Sequence, residues 1–168
     1  AYRRQRQMCI RDSSQTYIYF FDKLEKANWF LTAMAELKDR DITDRTVTKL
    51  MDDPIDDGGQ WSMFVALVEK YGVVPQYAMP ETASSEATAM LNRNLQTVLR
   101  RAAHQIRSGE EGAHEQALAD VYRILTANLG LPPEDFVWQY RDKDDEFHRA
   151  GTYTPQEFAQ EYLSLIHI

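Results

Sequence analysis

Apolar residues recur at spacings of three, four and seven positions after Ser14, which predicts that the first element is a long amphipathic helix. The apolar positions are Tyr17, Phe21, Leu24, Leu31 and Ala35. The same period places the charged residues Asp22, Lys23, Glu25 and Lys26 on the opposite side. Because Asp22 and Lys26 are one turn apart, they are predicted to form an ion pair.

Two shorter helices are predicted next. The first covers residues 41–51, with Thr43 or Asp44 as its cap, and Pro54 ends it. After the turn signal Asp56-Asp57-Gly58-Gly59, a helix runs from Trp61 to Tyr71 and Gly72 closes it. This helix is apolar on nearly all sides, so it is expected to be buried.

Two longer helices and a strand pair complete the pattern. The helices cover residues 85–107 and 113–129, and the break at Ser108-Gly109 predicts an antiparallel helical hairpin. The alternation of residues 136–141 predicts a strand, with residues 142–146 as a polar tip and 147–150 as the returning strand. Thr154-Pro155-Gln156-Glu157 is a capping box with proline at the first helical position, so it predicts a final helix.

The two ends differ from this pattern. Residues 1–13 are basic and have no apolar period, and they resemble, as residues 164–168 do, the translation of a sequencing artefact. We therefore predict one domain, or part of one, over residues 14–163, with non-native stretches on both sides. The alternative for residues 1–13 is a basic targeting arm, which the lack of an apolar helical face disfavours. Cys9, the single cysteine, lies in this stretch and is not interpreted as a nucleophile.

Composition and charge limit the kinds of partner and binding site that are expected. The 168 residues carry a net charge of −7, which argues against nucleic acid or anionic lipid as a partner. No apolar run reaches the length of a membrane span, and a cytoplasmic protein is expected. The four histidines lack the spacing of a helical metal pair, so no metal site is predicted. The acidic run Asp142–Glu146 lacks the glycine of a calcium loop and is interpreted as a solvated hairpin tip.

The segment Asp57-Gly58-Gly59-Gln60-Trp61 has two compatible interpretations. In the first, Asp56 or Asp57 caps the following helix while the glycines permit the turn. In the second, the glycine pair lies beside a cleft, where an extended peptide can form main-chain hydrogen bonds with bare backbone.

Three blocks together resemble the bleomycin hydrolase and bacterial aminopeptidase C branch of the papain-like cysteine proteases. The first block is Ser14-Gln15-Thr16-Tyr17 with Phe20-Phe21-Asp22-Lys23. The second is Asp57–Trp61, Glu69–Pro75, Pro80-Glu81 and Glu86–Thr88. The third is Pro132–Glu134, Tyr140–Asp144 and Thr154–Phe158. The resemblance covers residues 14–163.

The resemblance implies a mainly α fragment of a papain-like α+β cysteine protease fold, with several helices and one short β-hairpin. It implies a thiol-dependent aminopeptidase that removes residues from the free N-termini of peptides, without a metal or organic cofactor. The nucleophilic cysteine of such enzymes, in a Gly-x-Cys-Trp context, precedes the segment that begins at Ser14. Their catalytic histidine and asparagine follow position 163. The fragment alone is therefore expected to be inactive.

The resemblance also implies binding roles. Gly58 and Gly59 match the glycine pair that contacts the substrate main chain, and Gln60 and Trp61 border a subsite. A ring-shaped homohexamer is implied, with contacts from residues 85–130 or 136–150. The alternative is a non-catalytic helical interaction or oligomerisation module. A cut fragment should expose apolar side chains, expected at Phe20, Phe30, Trp61 and Phe64.

Overall fold

A computed structural model describes residues 13–142 and 144–162. Its helices are α1 Gln15–Glu36, α2 Arg45–Asp52, α3 Trp61–Tyr71, α4 Ala83–Glu86, α5 Ala89–Arg107, α6 Ala113–Leu129 and α7 Pro155–Tyr162. Its strands are β1 Phe136–Arg141 and β2 Phe147–Tyr153. The predictions for residues 1–12, Cys9 included, and for 163–168 lie outside these ranges, so the bounds of the domain stay a prediction.

The chain divides into two compact units. The helical unit contains Phe20–Gly58 and Thr82–Gly130. The hairpin unit contains the described residues up to Tyr19, Gly59–Glu81, and the described residues from Leu131 onward. One boundary therefore falls within α1, and another falls between the two glycines of the predicted binding segment.

The helical unit is built on the α5 and α6 pair that the sequence predicts. Buried residues recur every fourth position along α6, which places them on one face of the helix. They are Ala113, Ala117, Val121, Leu125 and Leu129. The matching face of α5 buries Leu91, Leu95, Leu99, Ala102 and Ala103. The helical hairpin is confirmed.

Two expectations for the helical unit are wrong. Residues 83–86 form a separate short helix because Thr82 and Ser85 cap each other, and Ala87 leaves the helical region with φ −134° and ψ 73°. The predicted helix from residue 85 therefore begins only at Ala89. Phe20 and Phe30, expected to be exposed, are fully buried. The described chain covers both rings, and the Phe20 ring packs edge-on against Tyr122 at 5.4 Å between centroids.

The hairpin unit contains the predicted strand pair. β1 and β2 are antiparallel, from Phe136 opposite Tyr153 to Arg141 opposite Phe147. A register shift between Trp138 and Gln139 leaves Ala150 without an opposite residue, which makes a β-bulge. β2 extends to Tyr153, three residues beyond the predicted end.

Aromatic packing joins the strands to α7. Phe136 and Trp138 are buried, and their rings lie 5.2 Å and 4.9 Å from the Phe158 ring. The predicted capping box starts α7, because the Glu157 carboxylate accepts bonds from the N–H and the hydroxyl of Thr154, each at 2.9 Å.

Helix α3 is not buried on all sides, which corrects the prediction. Of its residues only Leu67 and Val68 are buried. Within the hairpin unit α3 packs against α7, and Met63 is among its exposed side chains. Trp61 is 59% exposed, as expected, and Phe64 is partly buried. Gly72 closes the helix as predicted, with φ 75°.

Within the described ranges, no helix is both long enough and apolar enough to cross a membrane.

Candidate functional site: the glycine turn before helix α3

The candidate site is the turn between α2 and α3, where both predicted glycines are exposed. Neither Asp56 nor Asp57 caps α3, which corrects the first interpretation, because the helix starts one residue after Gln60. The Asp56 carboxylate instead accepts the N–H of Gly58 at 2.9 Å. Asp56 therefore stabilises the turn, whereas Gln60, after the glycines, is the residue at the N-terminus of α3.

The surroundings of the two glycines differ. A Cβ at Gly58 would lie 3.2 Å from Oδ1 of Asp56, a tight contact with its own turn. A Cβ at Gly59 would meet no atom of the described chain within 4 Å. Packing within the described chain therefore does not require glycine at position 59. Space beside bare backbone is what an incoming extended peptide needs.

Two lysines of α1 hold the turn inside the helical unit. The ammonium of Lys23 donates to the carbonyl oxygens of Ile55 at 3.4 Å and Asp56 at 3.1 Å, and to Oδ1 of Asp57 at 2.5 Å. Lys23 is fully buried, although the sequence placed it on the polar side of the helix. A buried ammonium must have its donors satisfied, and this turn supplies the acceptors.

Lys26 holds the part of the turn nearest to the glycines. Its ammonium donates to the carbonyl oxygen of Asp56 at 3.0 Å and to that of Gly58 at 2.7 Å. It also forms the predicted ion pair with Asp22, at 2.9 Å. Because Asp22 lies one helical turn before Lys26, it fixes the lysine head group above the turn.

Helix α5 supports the same segment through one polar stripe. Asn92, Gln96 and Arg100 are spaced four residues apart, so they share one face of the helix. The Asn92 amide donates to Oδ2 of Asp57 at 3.2 Å, and the Gln96 amide donates to Oδ1 of Asp53 at 3.4 Å. Arg100 donates to the carbonyl oxygens of Met51 and Asp52 at 2.8 and 2.6 Å. The end of α2 and the turn after it are thus fastened along α5.

Gln60 and Trp61 follow the glycines in the hairpin unit. Gln60 is extended, with φ −109° and ψ 156°, and its carbonyl oxygen accepts the N–H groups of Met63 and Phe64. The Trp61 ring lies 5.2 Å from the Phe64 ring and is largely exposed. An exposed indole beside extended backbone provides an apolar surface for a ligand side chain.

Other reactive side chains lie elsewhere in the chain. The Nε2 atom of His114 lies 3.0 Å from Oδ1 of Asn28 within the helical unit. In the hairpin unit, His148 lies 2.8 Å from Oδ2 of Asp142. This hydrogen bond, with the N–H groups of Glu146 and Asp144, lowers the pKa of Asp142. Asp142, Glu146 and His148 place ligand atoms within 4.8 Å of one another, a grouping that the sequence analysis did not find.

Sequence reasoning also missed the two turn-binding lysines. Periodicity assigns Lys23 to a polar face, because it carries no information about hydrogen-bond acceptors more than thirty positions away in the sequence. The one signal in the sequence is the block Phe20-Phe21-Asp22-Lys23, which is part of the family resemblance.

Comparison with a solved structure defines the class of fold. The crystal structure of PepW from Lactobacillus rhamnosis HN001 superposes with a TM-score of 0.85 at 41% sequence identity, over 89% of this chain and 36% of that one. The described fold is the mainly α portion of a papain-like α+β cysteine protease.

Sequence comparisons then give the family. The chain belongs to the peptidase C1-like family, whose sequence model matches residues 7–167. Aminopeptidase C of Listeria monocytogenes is 44% identical over 158 residues, which is 90% of this chain and 36% of that protein. Bleomycin hydrolase of Gallus gallus is 40% identical over 161 residues, which is 89% of this chain and 35% of that protein. The chain thus spans about a third of the length of these relatives.

Proposed function

We propose that the chain belongs to a thiol-dependent aminopeptidase, which removes residues from the free N-termini of peptides. The observation that carries the proposal is the 44% identity to an aminopeptidase C over 90% of the chain. In this proposal the backbone of Gly58 and Gly59 pairs with the substrate main chain, and Gln60 and Trp61 border the subsite beside it. The open space at Gly59 supports this assignment.

The 168 residues alone are proposed to be inactive. Their one cysteine, Cys9, is followed by Ile10, so the sequence has no Gly-x-Cys-Trp segment of the kind that carries the nucleophile. Acyl transfer by a cysteine needs the thiolate and a histidine base placed beside it. A cytoplasmic location and a homohexameric assembly stay predictions.

The experiment is to sequence the source locus outward from codons 15–163, express the complete open reading frame, and assay it. We expect hydrolysis of an aminoacyl-aminomethylcoumarin, at least about a hundredfold slower hydrolysis of its N-acetylated form, and inhibition by iodoacetamide. A complete protein that cleaves neither substrate would refute the aminopeptidase proposal and would favour a non-catalytic interaction module.

The binding site has its own test in the same protein. Gly59→Ala and Gly59→Val add increasing volume where the described chain leaves space, so the fold should tolerate both changes. KM for the free-amine substrate should rise from the wild type through Ala to Val. An unchanged KM in Gly59→Val, with peptidase activity intact, would remove the glycine pair from the binding site without touching the proposed reaction.

A further inference from the structure

We propose that Lys26, backed by Lys23, is a positioning residue for substrate binding, because it fixes the orientation of the peptide group that joins Gly58 to Gly59. The inference rests on the proposed function and adds to it a residue that contacts no substrate. It is carried by the hydrogen bonds of the two ammonium groups.

The first step concerns the Gly58 carbonyl. Its oxygen accepts a bond from the Lys26 ammonium at 2.7 Å, and the Gly58 N–H is bound to Asp56 at 2.9 Å. Both polar groups of Gly58 are therefore engaged by the protein itself. Glycine has the widest choice of backbone conformations, so a turn with two consecutive glycines needs such restraints to keep one conformation.

The second step concerns Gly59. The Gly58 C=O and the Gly59 N–H belong to one planar trans peptide group and point in opposite directions. Because Lys26 holds the carbonyl oxygen, the Gly59 N–H is directed away from Lys26. A substrate carbonyl that pairs with Gly59 would approach on that side, so the ammonium sets the direction of the donor.

The third step concerns the support behind Lys26. The Lys26 side chain is only 13% exposed, and Asp22 holds its ammonium at 2.9 Å. Lys23, fully buried, donates to two carbonyl groups earlier in the turn, those of Ile55 and Asp56, and to the Asp57 carboxylate. Hydrogen bonds to an ionised group are stronger than those between neutral groups, and they are screened less where water is excluded. The two lysines thus immobilise four consecutive residues, 55–58.

The test uses four variants of the complete protein: two at position 26, one at position 23, and one control. Lys26→Met removes the ammonium and keeps an unbranched side chain, and Lys26→Arg keeps the charge and the donors. Lys23→Met is the second disrupting variant, and Lys38→Met, at an exposed position, is the matched control. Titration of the reactive thiol gives the active fraction of each preparation, so a folding defect cannot imitate a binding defect.

We expect KM for the free-amine substrate to rise about tenfold in Lys26→Met, because displacing a positioned group by a fraction of an ångström weakens the contacts it makes. The value of kcat per active site should stay within about twofold of the wild type. KM of Lys26→Arg should lie much closer to the wild-type value than KM of Lys26→Met does. Amide hydrogen exchange should accelerate in residues 55–60 and stay unchanged in α6. Lys38→Met should match the wild type in all three measurements.

The contrary outcomes are separable. If exchange in residues 55–60 accelerates but KM does not rise, the lysines order the turn without serving the substrate, and the inference is overturned while the aminopeptidase stands. If exchange is unchanged, the restraint itself is refuted. If the wild-type protein cleaves no peptide, the proposed function fails and the inference fails with it.

Discussion

Gly72 lies directly against the main chain of Pro155, so closely that a Cβ at Gly72 would fall 2.2 Å from the Pro155 carbonyl carbon. The N–H of the next residue, Val73, donates to the same Pro155 carbonyl at 3.1 Å. The end of α3 and the start of α7 therefore meet backbone to backbone, and the contact leaves no room for a side chain.

This contact predicts that Gly72→Ala is far more destabilising than a comparable change elsewhere. Gly130 is the matched control, because it also follows a helix and has φ 91° and ψ 166°, but its Cβ would meet no described atom within 4 Å. Gly130→Ala should cost about 1 to 3 kcal/mol through backbone strain alone. Gly72→Ala should exceed it by at least about 2 kcal/mol, since backbone must also move. Urea unfolding of the two variants compares these costs, and equal costs would contradict the close contact.

The aromatic cluster of the hairpin unit predicts a large effect at Phe158. This ring is buried and lies within 5.2 Å, between centroids, of Phe136 and Trp138. Phe158→Ala should lower the free energy of unfolding by about 3 to 5 kcal/mol through lost burial and the cavity left behind. Trp138 should become more accessible to a fluorescence quencher.

Phe147→Ala is the control for that change, because Phe147 is 58% exposed. Its effect on the free energy of unfolding should stay within about 0.5 kcal/mol. A Phe147 effect as large as that of Phe158 would show that the cluster is not the centre of this unit.

The Tyr17 hydroxyl predicts a loss of stability at alkaline pH. It donates to the Tyr71 carbonyl oxygen at 2.7 Å, and burial, with a smaller contribution from Tyr71, raises the pKa of Tyr17 well above its usual 10.0. A pKa that is higher in the folded state stabilises the fold fully below the unfolded value, and this contribution is lost as pH rises above about 10. The unfolding midpoint of Tyr17→Phe should therefore fall less steeply between pH 9 and 11 than that of the wild type. Parallel slopes would refute the assignment.

The cap of α2 predicts the opposite pH dependence. The Asp44 carboxylate accepts the N–H groups of Thr46 and Val47 at 2.8 and 3.4 Å, and the Thr46 bond is the main cause of its lowered pKa. A lowered pKa in the folded state gives stability that is present above the usual 3.8 and lost as pH falls further. Asp44→Asn keeps an acceptor at the cap but removes the titration. Its unfolding midpoint should depend less on pH between 5 and 2.5, and an unchanged dependence would exclude Asp44 as a contributor.

The sequence predicted those elements whose determinants are local. The break at Ser108-Gly109 between two helices, the alternation of β1 and the Thr154 capping box each lie within a few residues, and each is confirmed. Lys23 shows why the rest could not be predicted. Its charge predicts exposure to solvent, whereas in the fold its buried ammonium donates to acceptors at positions 55–57. The prediction that α3 is buried on nearly all sides was wrong for a different reason. An apolar pattern shows that a helix has apolar faces, but it does not show which residues cover them.

The candidate site, too, could be predicted only in part from the sequence. Gly58 and Gly59 are visible in the sequence as a turn, and their role was predicted from resemblance. The difference between them was not, because it depends on the Asp56 carboxylate beside Gly58 and on open space beside Gly59. The polar stripe Asn92, Gln96 and Arg100 was likewise hidden, since its targets lie 35 or more positions earlier in the chain.

The bulge at Ala150 reverses the odd and even positions of β2. Before it, even-numbered His148 stacks on Tyr140, with ring centroids 5.2 Å apart. After it, odd-numbered Tyr153 approaches Phe158 at 6.3 Å. Odd-numbered Phe147, the most apolar residue of the strand's first half, is thereby turned to solvent. Removal of this one alanine would exchange the two sides of residues 147–149, and would bring a phenyl ring to the face where an imidazole now bonds to Asp142.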